Sequence, residues 1–169
     1  MKLISLDQAS RITGYSCFVD AKWQWSSVID KDKKDIDTDT RFDEMVLAIY
    51  EVVEQENPDI VIIEQVALQS NAKTMMLLAR LQGAIIGKCV ELGIQYKIIE
   101  VSHWRKIVGI HQGKKKREEL KKDSLKLAHE WFDNSLSEDA AESSLLGAAY
   151  LIDNDFATLD DFQDSHLWD

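Results

Sequence analysis

Lys2-Leu3-Ile4-Ser5-Leu6-Asp7-Gln8-Ala9-Ser10-Arg11-Ile12-Thr13-Gly14-Tyr15 stands almost at the start of the chain, and the fold is read outward from it. Residues 2–7 are apolar and β-prone and end on a carboxylate. Residues 14–19 and 23–29 set aromatic and β-branched side chains between polar ones, as strands do. Their short connections predict an antiparallel meander. Residues 30–40 are polar and acidic and read as a loop. Phe42, Met45, Val46, Ile49, Val52 and Val53 recur at helical spacing, and Asn57-Pro58 ends that helix. The apolar run 60–63 suits a central strand covered on both faces, and it ends on Glu64. Residues 74–92 predict a long, nearly all-round apolar helix, in which Gly83 and Gly87 would admit another element closely. A fifth strand is expected over 95–101, a charged amphipathic helix over 114–131 and a last helix over 138–152. The order β-β-β-α-β-α-β-α-α is that of a mixed sheet covered by helices, in the α/β class. Residues 1–153 read as one domain. Residues 154–169 read as an acidic C-terminal tail carrying Phe156, Phe162 and Trp168.

A length of 169 residues allows one ordinary domain with a full core. With 45% apolar and 30% charged residues, the chain reads as soluble and globular. No apolar run approaches the roughly 20 residues that span a bilayer, and the N-terminal run is too short for a signal peptide. No membrane partner is expected. Cys17 and Cys89 lack metal-binding spacing and read as free thiols in a reducing cytosol. The net charge of −10 argues against a nucleic-acid partner only superficially, because its distribution decides more than its sum. Arg105 to Lys122 holds eight basic residues against two acidic ones, whereas 133–169 holds ten acids and no Lys or Arg. Such a basic run is either a solvated helix face or a phosphate-binding surface.

Three acids lie where a sheet enzyme puts its chemistry. Asp7 ends the first strand and Glu64 the fourth. Side by side, these strands would deliver both carboxylates to one edge, where open α/β sheets bind ligands. A single acid ending a strand is ordinarily just a surface residue. The third element is Ser135-Leu136-Ser137-Glu138-Asp139-Ala140-Ala141-Glu142. Asp139 and Glu142 share one helix face at i,i+3, and Ser135 or Ser137 can cap the helix start. The helix dipole alone explains acids in the first turn, but it explains Glu142 less well. Ala140 and Ala141 are small enough to let this face approach the sheet. Four carboxylates without histidine or cysteine make a hard oxygen site, which selects Mg²⁺ or Mn²⁺. Two such ions about 3.5–4 Å apart can activate water and stabilise the leaving oxygen in phosphodiester hydrolysis. That chemistry accounts for an acidic site and a basic segment in one chain.

The residues at this point resemble a known family. Ser5 to Tyr15 resembles the first motif of RuvC-type Holliday junction resolvases. Val61-Ile62-Ile63-Glu64-Gln65-Val66 is similar to the second, and Glu138-Asp139-Ala140-Ala141-Glu142-Ser143 to the third. Trp104-Arg105-Lys106-Ile107-Val108-Gly109 is similar to the stretch before the family's basic helix. The motifs keep the family's order and spacing over roughly residues 3–152. The resemblance implies an RNase H-like fold, with a five-stranded mixed sheet of three antiparallel then two parallel strands flanked by helices. It implies a homodimer that nicks four-way junctions and other branched DNA in symmetric pairs, leaving 5′-phosphates. It implies Asp7, Glu64, Asp139 and Glu142 as catalytic and metal-binding acids for two Mg²⁺ ions, with Mn²⁺ able to substitute. Arg105, Lys106, Lys114, Lys115, Lys116, Arg117, Gln69 and Lys73 are the expected DNA contacts. Helix 74–92 would be the dimer-forming helix, although packing within one subunit explains Gly83 and Gly87 equally well. A cytoplasmic location in a bacterial or phage-infected cell follows, and the compact, acidic chain suits a phage-encoded member. Any branch-migration partner is left unspecified.

The chain also departs from the family. Glu142 is longer by one methylene than the commoner Asp. Gln8-Ala9-Ser10 stands where Pro-Gly-Ser is usual. Ala67 stands where the family commonly carries an aromatic that packs on junction bases, a stacking contact worth roughly 1–3 kcal/mol per base. Relaxed sequence preference is therefore expected. Two alternatives share the acids: an RNase H-like nuclease for flaps or hybrids, and a catalytically inactive junction-binding protein. An actin-like ATPase would need a second lobe that 169 residues cannot supply.

Overall fold

The computed structural model describes residues 1–67 and 71–163. Its sheet is built from β1 (Lys2–Asp7), β2 (Ile12–Val19), β3 (Lys22–Asp30), β4 (Ile60–Glu64) and β5 (Gln95–Ile99), in the order β3-β2-β1-β4-β5. β3, β2 and β1 pair antiparallel, and β1-β4 and β4-β5 pair parallel. This is the expected mixed sheet. The helices are α1 (Thr38–Glu56), α2 (Ala72–Leu92), α3 (Val101–Ile107), α4 (Arg117–Trp131), α5 (Glu138–Asp153) and α6 (Leu159–Gln163).

The central strands are apolar on both faces because both faces are covered. Ile60 and Ile62 of β4 pack with Trp104, Leu145, Leu146 and Trp131 in one core. Val61 and Ile63 pack with Met45, Ile49, Leu81 and Ile85 in the other. Thus α1 and α2 cover one face, and α3, α4 and α5 the other. The helix ends follow capping chemistry. The Asp37 carboxylate accepts from the Asp39 and Thr40 amides, and Asn57 closes α1 in the left-handed region at φ 42°. Asn71 caps α2, and Gly93 ends it at φ 68°.

Helix α5 is buried from Ala140 to Ala149, and it lies flat on β1 and β2 at two glycines. A Cβ on Gly14 would sit 2.0 Å from the Asp139 carbonyl oxygen. A Cβ on Gly147 would sit 2.4 Å from Phe18 Cε2. Between these points runs a seam of hydroxyls. Ser5 Oγ donates to the Ser143 carbonyl at 2.7 Å, Ser16 and Ser143 hydroxyls bond at 2.7 Å, and Ser26 and Ser144 bond at 2.7 Å. Buried polar groups are tolerated when paired in this way, and the pairing sets where along the sheet the helix rests.

Several boundaries differ from expectation. β5 ends at Ile99, and residues 101–107 turn into α3. Helix α4 begins at Arg117 rather than at 114, where the Lys116 amide donates to Glu119 Oε2 at 2.7 Å. Lys114, Lys115 and Lys116 therefore lie on the loop before the helix. Helix α2 is not apolar all round. It buries Leu81, Ile85 and Cys89, and exposes Met76, Gly83, Gly87 and Val90. Nothing lies within 4 Å of a Cβ built on Gly83 or Gly87, so neither glycine serves packing within the subunit. The expected tail carries α6, whose Phe162 is 3% exposed and stacks on Trp131 with ring centroids 5.6 Å apart. Trp168 lies outside the described residues. Cys17 and Cys89 are buried free thiols. Among the described residues, no helix is long and apolar enough to cross a membrane.

Candidate active site

Strand register brings the acids together. Asp7 ends β1 opposite Gly14 of β2. Leu6 pairs with Ile63 across the parallel β1-β4 ladder, so Glu64 emerges beside Asp7. The missing side chain at Gly14 lets the first turn of α5 drop onto this edge, carrying Asp139 with it. Ser137 caps that turn, accepting from the Ala140 amide at 3.4 Å. Glu142 follows one turn later and is 5% exposed.

The electrostatics record the crowding. Burial pushes the Asp7 carboxyl well above the usual carboxylate range, and Glu64, Glu142 and Asp139 each push it further, with Lys121 opposing. Glu64 rises from 4.5 to about 7, chiefly through burial, against the opposing hydrogen bond from Trp104. Asp139 is also raised by burial, with Lys121 opposing and Glu138 and Glu142 adding. Strongly perturbed acids gathered at a strand edge mark a candidate site.

Other side chains hold these acids in place. The Gln8 amide donates from Nε2 to the Glu64 carbonyl at 2.5 Å, tying the ends of β1 and β4 together. Trp104 Nε1 donates to Glu64 Oε2 at 2.9 Å. Arg105 Nη2 donates to Glu142 Oε1 at 2.6 Å. Lys121 pairs with Glu138. No role for Gln8, Gly14, Trp104 or Lys121 was legible in the sequence. Trp104 lay inside a motif and Lys121 inside the basic run, but only three-dimensional proximity distinguishes them from their neighbours.

The donor set suits a hard divalent cation, since all four groups are carboxylates and a cation would relieve their mutual repulsion. As they stand, however, no three His, Cys, Asp or Glu side chains among the described residues close into a metal site. Glu64 is turned to Trp104 and Glu142 to Arg105.

The expected DNA contacts divide. Arg105 is buried and paired with Glu142, and it does not face solvent. Lys106, Lys114, Lys115, Lys116 and Arg117 are exposed. The charge of Arg117 acts to lower the Glu64 pKa, so the start of α4 contributes positive potential at the acids. Lys115 Nζ is engaged by Asp123 at 2.6 Å. Lys73 is exposed in the first turn of α2. Gln69 lies outside the described residues.

The family model described as crossover junction endodeoxyribonuclease RuvC matches residues 3–140, a stretch that includes Asp7, Glu64 and Asp139 and stops short of Glu142. A crossover junction endodeoxyribonuclease RuvC from Pelobacter propionicus is 30% identical over 131 residues, covering 72% of this chain and 70% of its own. Among solved structures, T. thermophilus RuvC in complex with a Holliday junction substrate superposes with a TM-score of 0.69 at 12% identity, covering 94% of this chain and 97% of its own. The fowlpox virus resolvase, also solved with Holliday junction DNA, gives 0.65 at 17% identity, with coverage of 91% and 99%. At such identities the structural likeness speaks for the fold alone.

Proposed function

The chain belongs to the RuvC family of crossover junction endodeoxyribonucleases, and from that premise we propose a metal-dependent resolvase whose four acids are Asp7, Glu64, Asp139 and Glu142. What carries the proposal is the convergence of Glu64 from β4 and Asp139 and Glu142 from α5 on Asp7 at the end of β1, each raising the Asp7 pKa, with the charge of Arg117 at the start of α4 acting on Glu64. The substrate is four-way junction DNA and other branched DNA. Water attacks phosphorus, the bond to the 3′ oxygen breaks, and a 5′-phosphate and a 3′-hydroxyl remain.

When bound, two Mg²⁺ ions, or Mn²⁺ in their place, supply activation of water and stabilisation of the leaving oxygen. Asp7, Glu64, Asp139 and Glu142 would hold them, and the cations would relieve the mutual repulsion of these carboxylates. Gln8 keeps Glu64 level with Asp7 by bonding its backbone carbonyl. Lys106, Lys114, Lys115, Lys116, Arg117 and Lys73 hold the flanking phosphates, with Gln69 assigned to the same surface from sequence. Such contacts position the duplex arms without reading sequence. Ala67 is exposed and offers no stacking ring, which supports relaxed sequence preference. The open face of α2 at Gly83 and Gly87 supports a homodimer that places two sites for paired nicks. We assign the nuclease domain to residues 1–163, because α6 seats Phe162 in its core rather than lying in an appended tail, and the location to the cytoplasm of a bacterial or phage-infected cell.

The test is nicking of a mobile four-way junction with and without Mg²⁺, beside linear duplex, flap and RNA–DNA hybrid. Paired, Mg²⁺-dependent junction nicks are expected, and Asp7→Asn should stop them while leaving junction binding in place. Equal cutting of flap or hybrid would favour the broader nuclease alternative. Junction binding without nicking would mean an inactive binder.

A further inference from the structure

Both glutamates of the candidate site are already occupied, and by neighbouring residues. Trp104 Nε1 donates to Glu64 Oε2 at 2.9 Å, and Arg105 Nη2 donates to Glu142 Oε1 at 2.6 Å. The Arg105 and Glu142 side chains are only 9% and 6% exposed. The guanidinium lies over the Trp104 ring, 5.1 Å from its centroid, so the two donors form one unit on the seven-residue helix α3. Arg105 Nε is buried without a partner. A pair kept only for stability would be expected to satisfy that donor, since an orphaned buried N–H costs free energy, and a buried ion pair is in any case weak support for a fold. A guanidinium and an indole N–H offer the carboxylates what a cation would offer, positive potential at bonding distance.

Building on the nuclease reading above, we propose that Trp104 and Arg105 are positioning residues that occupy Glu64 and Glu142 in the cation-free enzyme and are displaced when divalent cations bind. Loading the site is then an exchange. Each glutamate gives up a side-chain donor and gains a cation, so the acids are kept in place without being left as unpaired buried charges. The occupancy also sets a threshold, because a cation must outcompete two donors already in position.

The test uses the full chain labelled with ¹⁵N. The Trp104 indole N–H resonance, identified by its loss in Trp104→Phe, is followed as Mg²⁺ is added, with binding measured in parallel by calorimetry. It should move upfield as its carboxylate acceptor leaves. Arg105→Gln should bind Mg²⁺ about tenfold more tightly than wild type, the scale on which residues behind metal ligands alter affinity. Asp7→Asn, read by calorimetry, separates the two levels of the proposal. If binding is saturable and lost in Asp7→Asn, yet the indole resonance stays in place and Arg105→Gln binds no more tightly, the exchange is overturned and the metal site stands. If Asp7→Asn leaves binding unchanged, or wild type binds no Mg²⁺, the metal reading fails and the exchange fails with it. Should Arg105→Gln not fold by circular dichroism, the wild-type indole resonance decides alone.

Discussion

Gly14→Ala is the smallest change expected to disable the enzyme. The new Cβ would lie 2.0 Å from the Asp139 carbonyl oxygen, 2.3 Å from its carbon and 2.9 Å from the Ala140 nitrogen. These are backbone atoms, so no rotamer change relieves the clash. Ordinary contact begins near 3.4 Å, and the start of α5 must retreat from the sheet by more than about 1 Å in a close-packed interior. Overpacking of this kind costs about 1–3 kcal/mol of stability. The retreat also carries Asp139 away from Asp7, and a misplacement of about 1 Å at a reacting centre is worth on the order of 100-fold in rate. Gly147→Ala is the matched control. Its Cβ would meet Phe18 Cε2 at 2.4 Å and Ser5 Oγ at 2.7 Å, at a point about 12 Å further along the helix. It should lose comparable stability and far less activity. Urea unfolding followed by tryptophan fluorescence gives stability, and single-turnover nicking of a junction in saturating Mg²⁺ gives the rate. Wild-type cutting and stability in Gly14→Ala would refute the idea that this glycine seats the helix.

Four further outcomes follow from the same geometry. Without divalent cation, stability should fall as pH rises from about 4.5 to about 7, because folded Glu64 keeps its proton in that window and the unfolded chain does not. The loss from Glu64 is about 3 kcal/mol, Asp7 adds in the same direction, Mg²⁺ should flatten the profile, and unfolding curves rising across this range would contradict it. Phe162→Ala should destabilise by about 3 kcal/mol, since the ring is stacked on Trp131 and meets Phe18 and Phe132 edge-on; a silent substitution would show that α6 is not anchored. Junction affinity should fall steeply with salt, and replacing Lys114 or Lys116 by Ala should lower the logarithmic slope by about 1 each, whereas an unchanged slope would remove this loop from the interface. Gly87→Glu should fold normally, with open space around the site, yet sediment as a monomer; a dimer would exclude this face of α2 as the interface.

The parts of the fold legible in sequence are those where one local pattern has one structural outcome. The run Ile60-Val61-Ile62-Ile63 had to be covered on both faces, and it is. The placement of Asp7 and Glu64 at one sheet edge was legible because an acid ending an apolar run is visible in one dimension, and strand adjacency sets the two side by side. Helix α3 was missed because seven residues without a side-chain cap leave almost no periodic signal after a strand. Arg105 was placed on the surface because its partner Glu142 is 37 residues away, and no local pattern shows which arginine of a basic run turns inward. Gly14 sat in a recognised motif, yet its reason lies in a helix more than a hundred residues later. Phe162 looked like one aromatic in an acidic tail, and only Trp131 gives it a place.

The serine seam between sheet and helix has a consequence in time. Ser5, Ser16 and Ser26 leave the ribosome well before Ser143 and Ser144. At about 5–20 residues per second, several seconds separate the two halves. A chain interrupted before α5 carries Asp7 and Glu64 but lacks Asp139, Glu142 and the surface that seats them. On the proposed assignment such a fragment lacks two of the four acids and is expected not to cut. On that assignment α5 is the late-arriving part of the site, seated only after the sheet has been made.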